Sequence, residues 1–310
     1  MSTGMDVVYA VHTHAHAEQV TRLVSTIRRG SDARVLVNHA RGGAPLDLPA
    51  LHALGRVEVM ESDGGYGDWS HVQRWLDCAD HLASRGVDYE WLVTLSGQDY
   101  PVMALHRSEG ELLESSSDGF IEHFPVLSRA ESHWPVRLAR SRYWFHHRRL
   151  RELTPSQKER LHRLQAVNRV QPFVRVHVSF GLSLGWRART PFGEGLRCYG
   201  GSAWTSLRRT AVEHVRAFRT AEPRVVEHYR RTLAPDESYL QTALVNAGRF
   251  ALVDDSKRYF DFRASRFNHP KLLGVEDLPA AIASGAHHGR KFDLRLDPDV
   301  FDELDRHVLV

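Results

Sequence analysis

The chain has 310 residues, 42% of them apolar and 25% charged, which allows one large α/β domain or two small ones and excludes a mainly disordered chain. Its net charge of +3, chiefly from arginine, and its pI near 8.9 are only mildly basic, so nucleic-acid binding would need that charge gathered on one face. No secretory leader is visible before the apolar run at Val7 and no stretch approaches the roughly 20 apolar residues of a membrane span, so a cytoplasmic protein without an integral membrane segment is expected.

The first hundred residues alternate strand and helix signals. Val7 to Val11 is a short apolar run; Val20, Leu23, Val24 and Ile27 follow at helical spacing, and Val35 to Val37 is apolar again. Val57 to Met60 reads as a third strand, Ser62 to Asp68 as a glycine-rich loop, and Val72, Trp75, Leu76, Ala79 and Leu82 as the face of the next helix. Trp91 to Leu95 is a buried strand that stops at Ser96 and Gly97. Repeated β-α-β units imply a mainly parallel sheet, and ligands of such sheets sit beyond the carboxyl ends of the strands. His12, Asn38, His39, the Asp63 to Asp68 loop and Ser96 to Asp99 are thereby expected around one cleft.

From Glu131 to Arg151 the pattern gives way to a mixture of Arg, His, Trp and Tyr, and a helix is expected from Pro155 to about Val167. Regular elements return at Val176 to Leu184, in a helix around Val212, Val215 and Phe218, and in a helix starting near Pro235 and ending near Gly248. The expectation is one domain over 1–310, with a nucleotide-binding half, 1–105, and an acceptor-binding and catalytic half, 106–310, that carries a variable insertion near 131–170. Cys78 and Cys198 are expected as reduced, buried thiols.

Three short segments carry the chemistry. Pro235 fits the first position of a helix, which puts Asp236 and Glu237 in its first turn. The helix dipole alone favours carboxylates there, and the same placement holds Glu237 at a cleft edge as a general base requires. Arg290 and Lys291 lie between a helix expected over 276–284 and an acidic segment over 293–299. Such pairs are usually solvated, yet a departing diphosphate needs this charge, with Arg gripping two oxygens and Lys acting as a point charge. Gly200 to Trp204 is a turn entering a strand, or else bare backbone that a sugar approaches beside a stacking indole.

Two other clusters were weighed for chemistry. His12, His14 and His16 alternate as ligands on an extended strand would, but they straddle a strand-to-helix turn with no carboxylate or Cys beside them, and no Asp-x-Asp ends the fourth strand. No metal or other cofactor is therefore expected. Arg137, Arg140, Arg142, Arg148, Arg149 and Arg151, interleaved with Trp134, Tyr143, Trp144 and Phe145, fit a nucleic-acid surface or an acceptor-binding insertion. No RNA- or DNA-binding motif accompanies them, and no nucleic-acid partner is expected.

In the order Val8 to Leu23, Trp91 to Pro101, Gly200 to Trp204, Ala234 to Thr242, His269-Pro270 with Glu276-Asp277, and Gly289 to Asp293, the chain resembles the core-2/I-branching β-1,6-N-acetylglucosaminyltransferases, a family that includes the peptide O-xylosyltransferases. The resemblance implies a GT-A fold, a UDP-sugar donor, inversion at the anomeric carbon and no metal. It also implies Glu237 as catalytic base, Lys291 and Arg290 on the diphosphate, and acceptor contacts at Ser202, Ala203, Trp204, Asp236 and Glu122. His12, Asn38, His39, Ser96 and Gly97 complete the expected donor site. The family's His-x-Asp at the end of the second strand is replaced by Asn38-His39-Ala40, which removes a carboxylate from the nucleoside contacts. GlcNAc is the favoured donor sugar and xylose the second. The expected acceptor is a saccharide or a glycosylated natural product; the alternative is a binding protein that keeps the fold without turnover.

Overall fold

The computed structural model describes residues 7–170, 172–263 and 270–309, so His269 lies outside the described residues. Four parallel strands open the chain: β1 (Val7–Thr13), β2 (Arg34–Ala40), β3 (Val57–Ser62) and β4 (Trp91–Ser96). They join Ser206–Arg208, Gly119–Phe120 and Leu252–Val253 in one sheet of order Leu252–Val253, Gly119–Phe120, Ser206–Arg208, β4, β1, β2, β3. Only Ser206–Arg208 runs against its neighbours. This is the mainly parallel α/β sheet flanked by helices expected of a GT-A fold.

Side-chain alternation sends the two faces of β1 into two apolar layers. Val8 and Ala10 pack with the helices Ser70–Ser84, Arg209–Ala221 and Tyr239–Asn246, whereas Val7, Tyr9 and Val11 pack with Ala17–Gly30 and Asp299–Val308. Helix Ala17–Gly30 forms because Val20, Leu23, Val24 and Ile27 make one buried stripe, and Arg28 and Arg29 complement the dipole in its last turn. Each of these fully buried side chains contributes about 1.5–3 kcal/mol by leaving water.

Where sequence and structure differ, tertiary contacts explain the difference. The helix expected from Pro235 is a single 3-10 turn, Pro235–Glu237, followed by an α-helix that begins only at Tyr239. Ser238 interrupts it with φ −151°, where its hydroxyl donates to the Tyr199 carbonyl at 2.6 Å. The helix expected over 155–167 breaks into Pro155–Leu161, a 3-10 segment His162–Ala166 and Val167–Val170; nothing in the first two is buried, so no packing enforces one axis. The strand expected at Val176 to Leu184 is two, Val174–His177 and Leu182–Arg187, which pair with Phe145–Arg151 in a three-stranded antiparallel sheet. The helix expected over 276–284 is likewise a 3-10 turn, Val275–Asp277, leading into Leu278–Ala283. Cys78 and Cys198 are free and buried, and burial pushes each thiol up to about 12.

Candidate active site

The register of the parallel strands aligns the first part of the site. His12 lies opposite Asn38 on β2 and Ser96 on β4, so the carboxyl ends of three strands share one level. Gly97 donates its amide to the His12 carbonyl at 3.0 Å, and Ser96 donates its own to Asp99 at 2.6 Å. His12 Nε2 is buried without a hydrogen-bond partner, and burial holds its ring, like that of His39, below the ordinary histidine range and neutral. Asn38 is fully buried, with its amide spent on Ser62, Cys78 and the Arg74 carbonyl. It supports the cleft floor and offers no free side-chain atom to a nucleoside. Arg74 fixes this corner through the Thr13 and Asn38 carbonyls, a role no sequence signal marked.

Across the strand ends, Arg290 closes the short strand His288–Arg290 and Lys291 follows it, and the peptide between them is cis. The guanidinium is not a solvated surface group. It is 15% exposed, stands 3.5 Å from the fully buried Asp99, and stacks 4.4 Å over the Trp204 ring. Its Nε and Nη1 are buried without hydrogen-bond partners. Lys291 makes no ion pair among the described residues, and burial followed by the Arg290 charge lowers its pKa. Two adjacent cations, one of them unpaired, raise the local potential and favour an anion.

Gln19, buried in the first turn of Ala17–Gly30, ties this corner together. Its amide donates to the carbonyls of Gly97 at 2.8 Å and Phe292 at 3.1 Å, and its oxygen accepts from Leu294 N at 2.9 Å. The loop after β4 and the loop after Lys291 thus share one anchor. Sequence reasoning passed over Gln19, since a polar residue on a helix gives no sign of facing inward.

Glu237 sits in its 3-10 turn after Ala234, which takes φ 47°. Two elements converge on that turn through three hydrogen bonds. Ala234 N donates to the Gly67 carbonyl of the glycine-rich loop at 3.0 Å, Tyr143 donates its hydroxyl to the Ala234 carbonyl at 3.0 Å, and Arg142 Nη1 donates to Glu237 Oε2 at 2.5 Å. Arg142 and Tyr143 both come from helix Val136–Tyr143, and the Arg142 guanidinium lies 5.0 Å from the Trp134 ring centroid. Burial raises the Glu237 pKa above its ordinary value; Arg142 opposes this, while Asp236 and Glu122 add to it. The Glu237 side chain is still 34% exposed, so it is open to a ligand. Arg142 was legible only as one arginine of a basic stretch.

The acceptor candidates gather round this carboxylate. Glu122 accepts from His133 Nδ1 at 2.9 Å, and Asp236 lies 3.8 Å from His71. Packing alone requires glycine here: a Cβ on Gly201 would come within 1.8 Å of the Glu122 carbonyl oxygen, and one on Gly200 within 2.5 Å of Trp134. The bare backbone therefore serves packing inside the protein. From that tight point the chain runs through Ser202 and Ala203 to Trp204. Gly201 N donates to the Glu237 carbonyl at 2.9 Å, and Gln241 donates to the Ser202 carbonyl at 2.7 Å.

One loop consequently joins the two charged centres. It holds the Glu237 backbone at Gly201 and the Arg290 guanidinium on Trp204, no more than about 11 Å of chain apart. A carboxylate of raised pKa and a cationic corner are thereby tied to the same short loop. Among the described residues no group of three His, Cys, Asp or Glu side chains is placed to hold a metal ion, and no helix is long and apolar enough to cross a membrane.

The sequence is similar to those of known proteins. The β-glucuronosyltransferases GlcAT14B and GlcAT14A of Arabidopsis thaliana are 25% identical over 250 residues and 23% identical over 253. Each alignment covers 77% of this chain, which spans about half the length of these relatives, 48% and 47%. A solved 4-diphosphocytidyl-2C-methyl-D-erythritolsynthase from Anaerococcus prevotii overlaps 90% of this chain and 95% of its own at 10% identity, but with a TM-score of 0.33 the fold assignment rests on the sheet order itself. The family described as Core-2/I-Branching enzyme matches residues 3–282, and the chain belongs to that family of glycosyltransferases.

Proposed function

We propose that the protein is an inverting, metal-independent glycosyltransferase that moves a sugar from a UDP-sugar to an acceptor hydroxyl. The observation that carries this reading is the Gly201 to Trp204 loop, which ties the Glu237 turn to the Arg290 guanidinium. In the reaction, the acceptor oxygen attacks the anomeric carbon, Glu237 takes its proton, and the bond to the UDP oxygen breaks. Lys291 and Arg290 meet the charge that develops on the leaving diphosphate. Asp99, the carboxylate supplied at the end of β4, is engaged by Ser96 N and Arg290, which favours cationic side chains over a metal in that role.

For the donor, family resemblance favours GlcNAc and then xylose, and the names of the Arabidopsis relatives add glucuronate as a third candidate. The acceptor is a saccharide or glycosylated natural product, bound between Glu122, Asp236 and the Ser202 to Trp204 loop. A panel of UDP-sugars, assayed for UDP release in EDTA with product mass determined, tests the reading. One sugar is expected to be transferred in EDTA, and Lys291→Ala is expected to weaken UDP binding by about tenfold or more. Activity that requires Mn²⁺ would sink the metal-independent mechanism. Stabilisation by UDP without turnover of any donor would favour the alternative, a binding protein.

A further inference from the structure

The insertion carries a surface that this reaction does not use. Over 136–190, thirteen Arg or Lys residues stand against only Glu152 and Glu159, in a chain whose net charge is +3. The sheet of Phe145–Arg151, Leu182–Arg187 and Val174–His177 lies in this segment, with Arg148 opposite Leu184 and His146 opposite Trp186. One face turns inward: Arg149 bonds the Tyr66 carbonyl and Asp68, and His147 bonds the Ser141 carbonyl. The other face presents Arg148, Leu150, Leu184 and Trp186.

An antiparallel sheet with one covered face ordinarily shows polar side chains on the other. Here Leu150 is 51% exposed, Trp186 48% and Leu184 38%, and Leu164 in the neighbouring 3-10 segment is 50% exposed. Exposed Arg148, Arg151, Arg160, Arg163 and Arg187 lie in the same segment. We propose that this face docks on an anionic phospholipid surface. The indole and the leucines enter the headgroup boundary, and the arginines meet lipid phosphates. A nucleic acid or a soluble acidic polysaccharide would be held by charge and would leave the leucines without a role. Docking here would also fix the orientation of the cleft, because the inward face of the same sheet holds the loop beside the Glu237 turn.

The test needs no turnover, so it stands apart from the proposed transferase activity. The intact protein is sedimented with vesicles of phosphatidylcholine, alone or mixed with phosphatidylglycerol. Binding is expected to be about tenfold or more tighter to the anionic vesicles. Trp186→Ser combined with Leu184→Ser, and separately Arg148→Gln combined with Arg151→Gln, which the register sets opposite Leu184 and Leu182, are each expected to lose about that factor with an unchanged melting temperature. The arginine pair is a surface change and carries the test if the apolar pair disturbs the sheet. Equal affinity for both vesicle types, no binding to either, or wild-type binding by the folded apolar variant overturns the proposal. Retention on DNA or an anionic polysaccharide without vesicle binding overturns it too, and assigns the patch to a soluble polyanion.

Discussion

The ion pair between Arg142 and Glu237 sets the protonation of the proposed base. A general base works only as the carboxylate, so kcat/KM falls as pH drops through its pKa. Burial places that acidic limb above the ordinary glutamate value of 4.5, while Arg142 pulls it back down. Arg142→Gln is therefore expected to move the limb to higher pH and to slow turnover at neutral pH by about tenfold or more. Glu237→Gln should lower turnover by about 100-fold or more at every pH while leaving UDP affinity intact. A stability loss in Arg142→Gln without movement of the limb would make the arginine purely structural. Glu237 was legible because Pro235, Asp236 and Glu237 form a contiguous signature. Arg142 was not, since it is one of six arginines in a basic stretch and meets its partner 95 residues away.

Among the elements, helix Ala17–Gly30 does more than cover the sheet, because Gln19 in its first turn fastens two loops of the proposed donor corner. Gln19→Leu would strand the buried Gly97 and Phe292 carbonyls and the half-buried Leu294 amide. The expected cost is about 2–4 kcal/mol in denaturant unfolding, with UDP affinity falling more than in a surface variant of equal stability. Unchanged UDP affinity in the folded variant would separate Gln19 from the donor site. The first hundred residues could be read element by element because apolar periodicity alone decides them. The turn at Pro235 could not: Ser238 leaves helical geometry for a carbonyl at Tyr199, a contact between segments that no local pattern encodes.

At the scale of the whole molecule, three histidines bond helix Val136–Tyr143, His147 and His177 from the insertion's own sheet and His228 from helix Pro223–Tyr229 of the body. His177 pairs with the Ser141 hydroxyl at 2.7 Å, His147 with the Ser141 carbonyl at 2.9 Å and His228 with the Tyr143 carbonyl at 2.9 Å. Burial lowers their pKa values from 6.5 to about 3 for His177 and about 4 for His147 and His228. Between pH 6.5 and about 4 the unfolded chain therefore binds more protons than the folded one. Stability is full above 6.5 and is lost as pH falls through that window, by roughly 3 kcal/mol per histidine as an upper bound. Denaturant midpoints measured across the window should fall steadily, and His177→Gln, which keeps a partner for Ser141, should make the slope shallower. A flat profile would show that these rings are not held neutral. The same helix carries Arg142, so acid that loosens this joint also frees the carboxylate of Glu237 from its anchor. Activity lost at low pH should then include a part that Glu237 titration alone does not explain, and that part should diminish in His177→Gln.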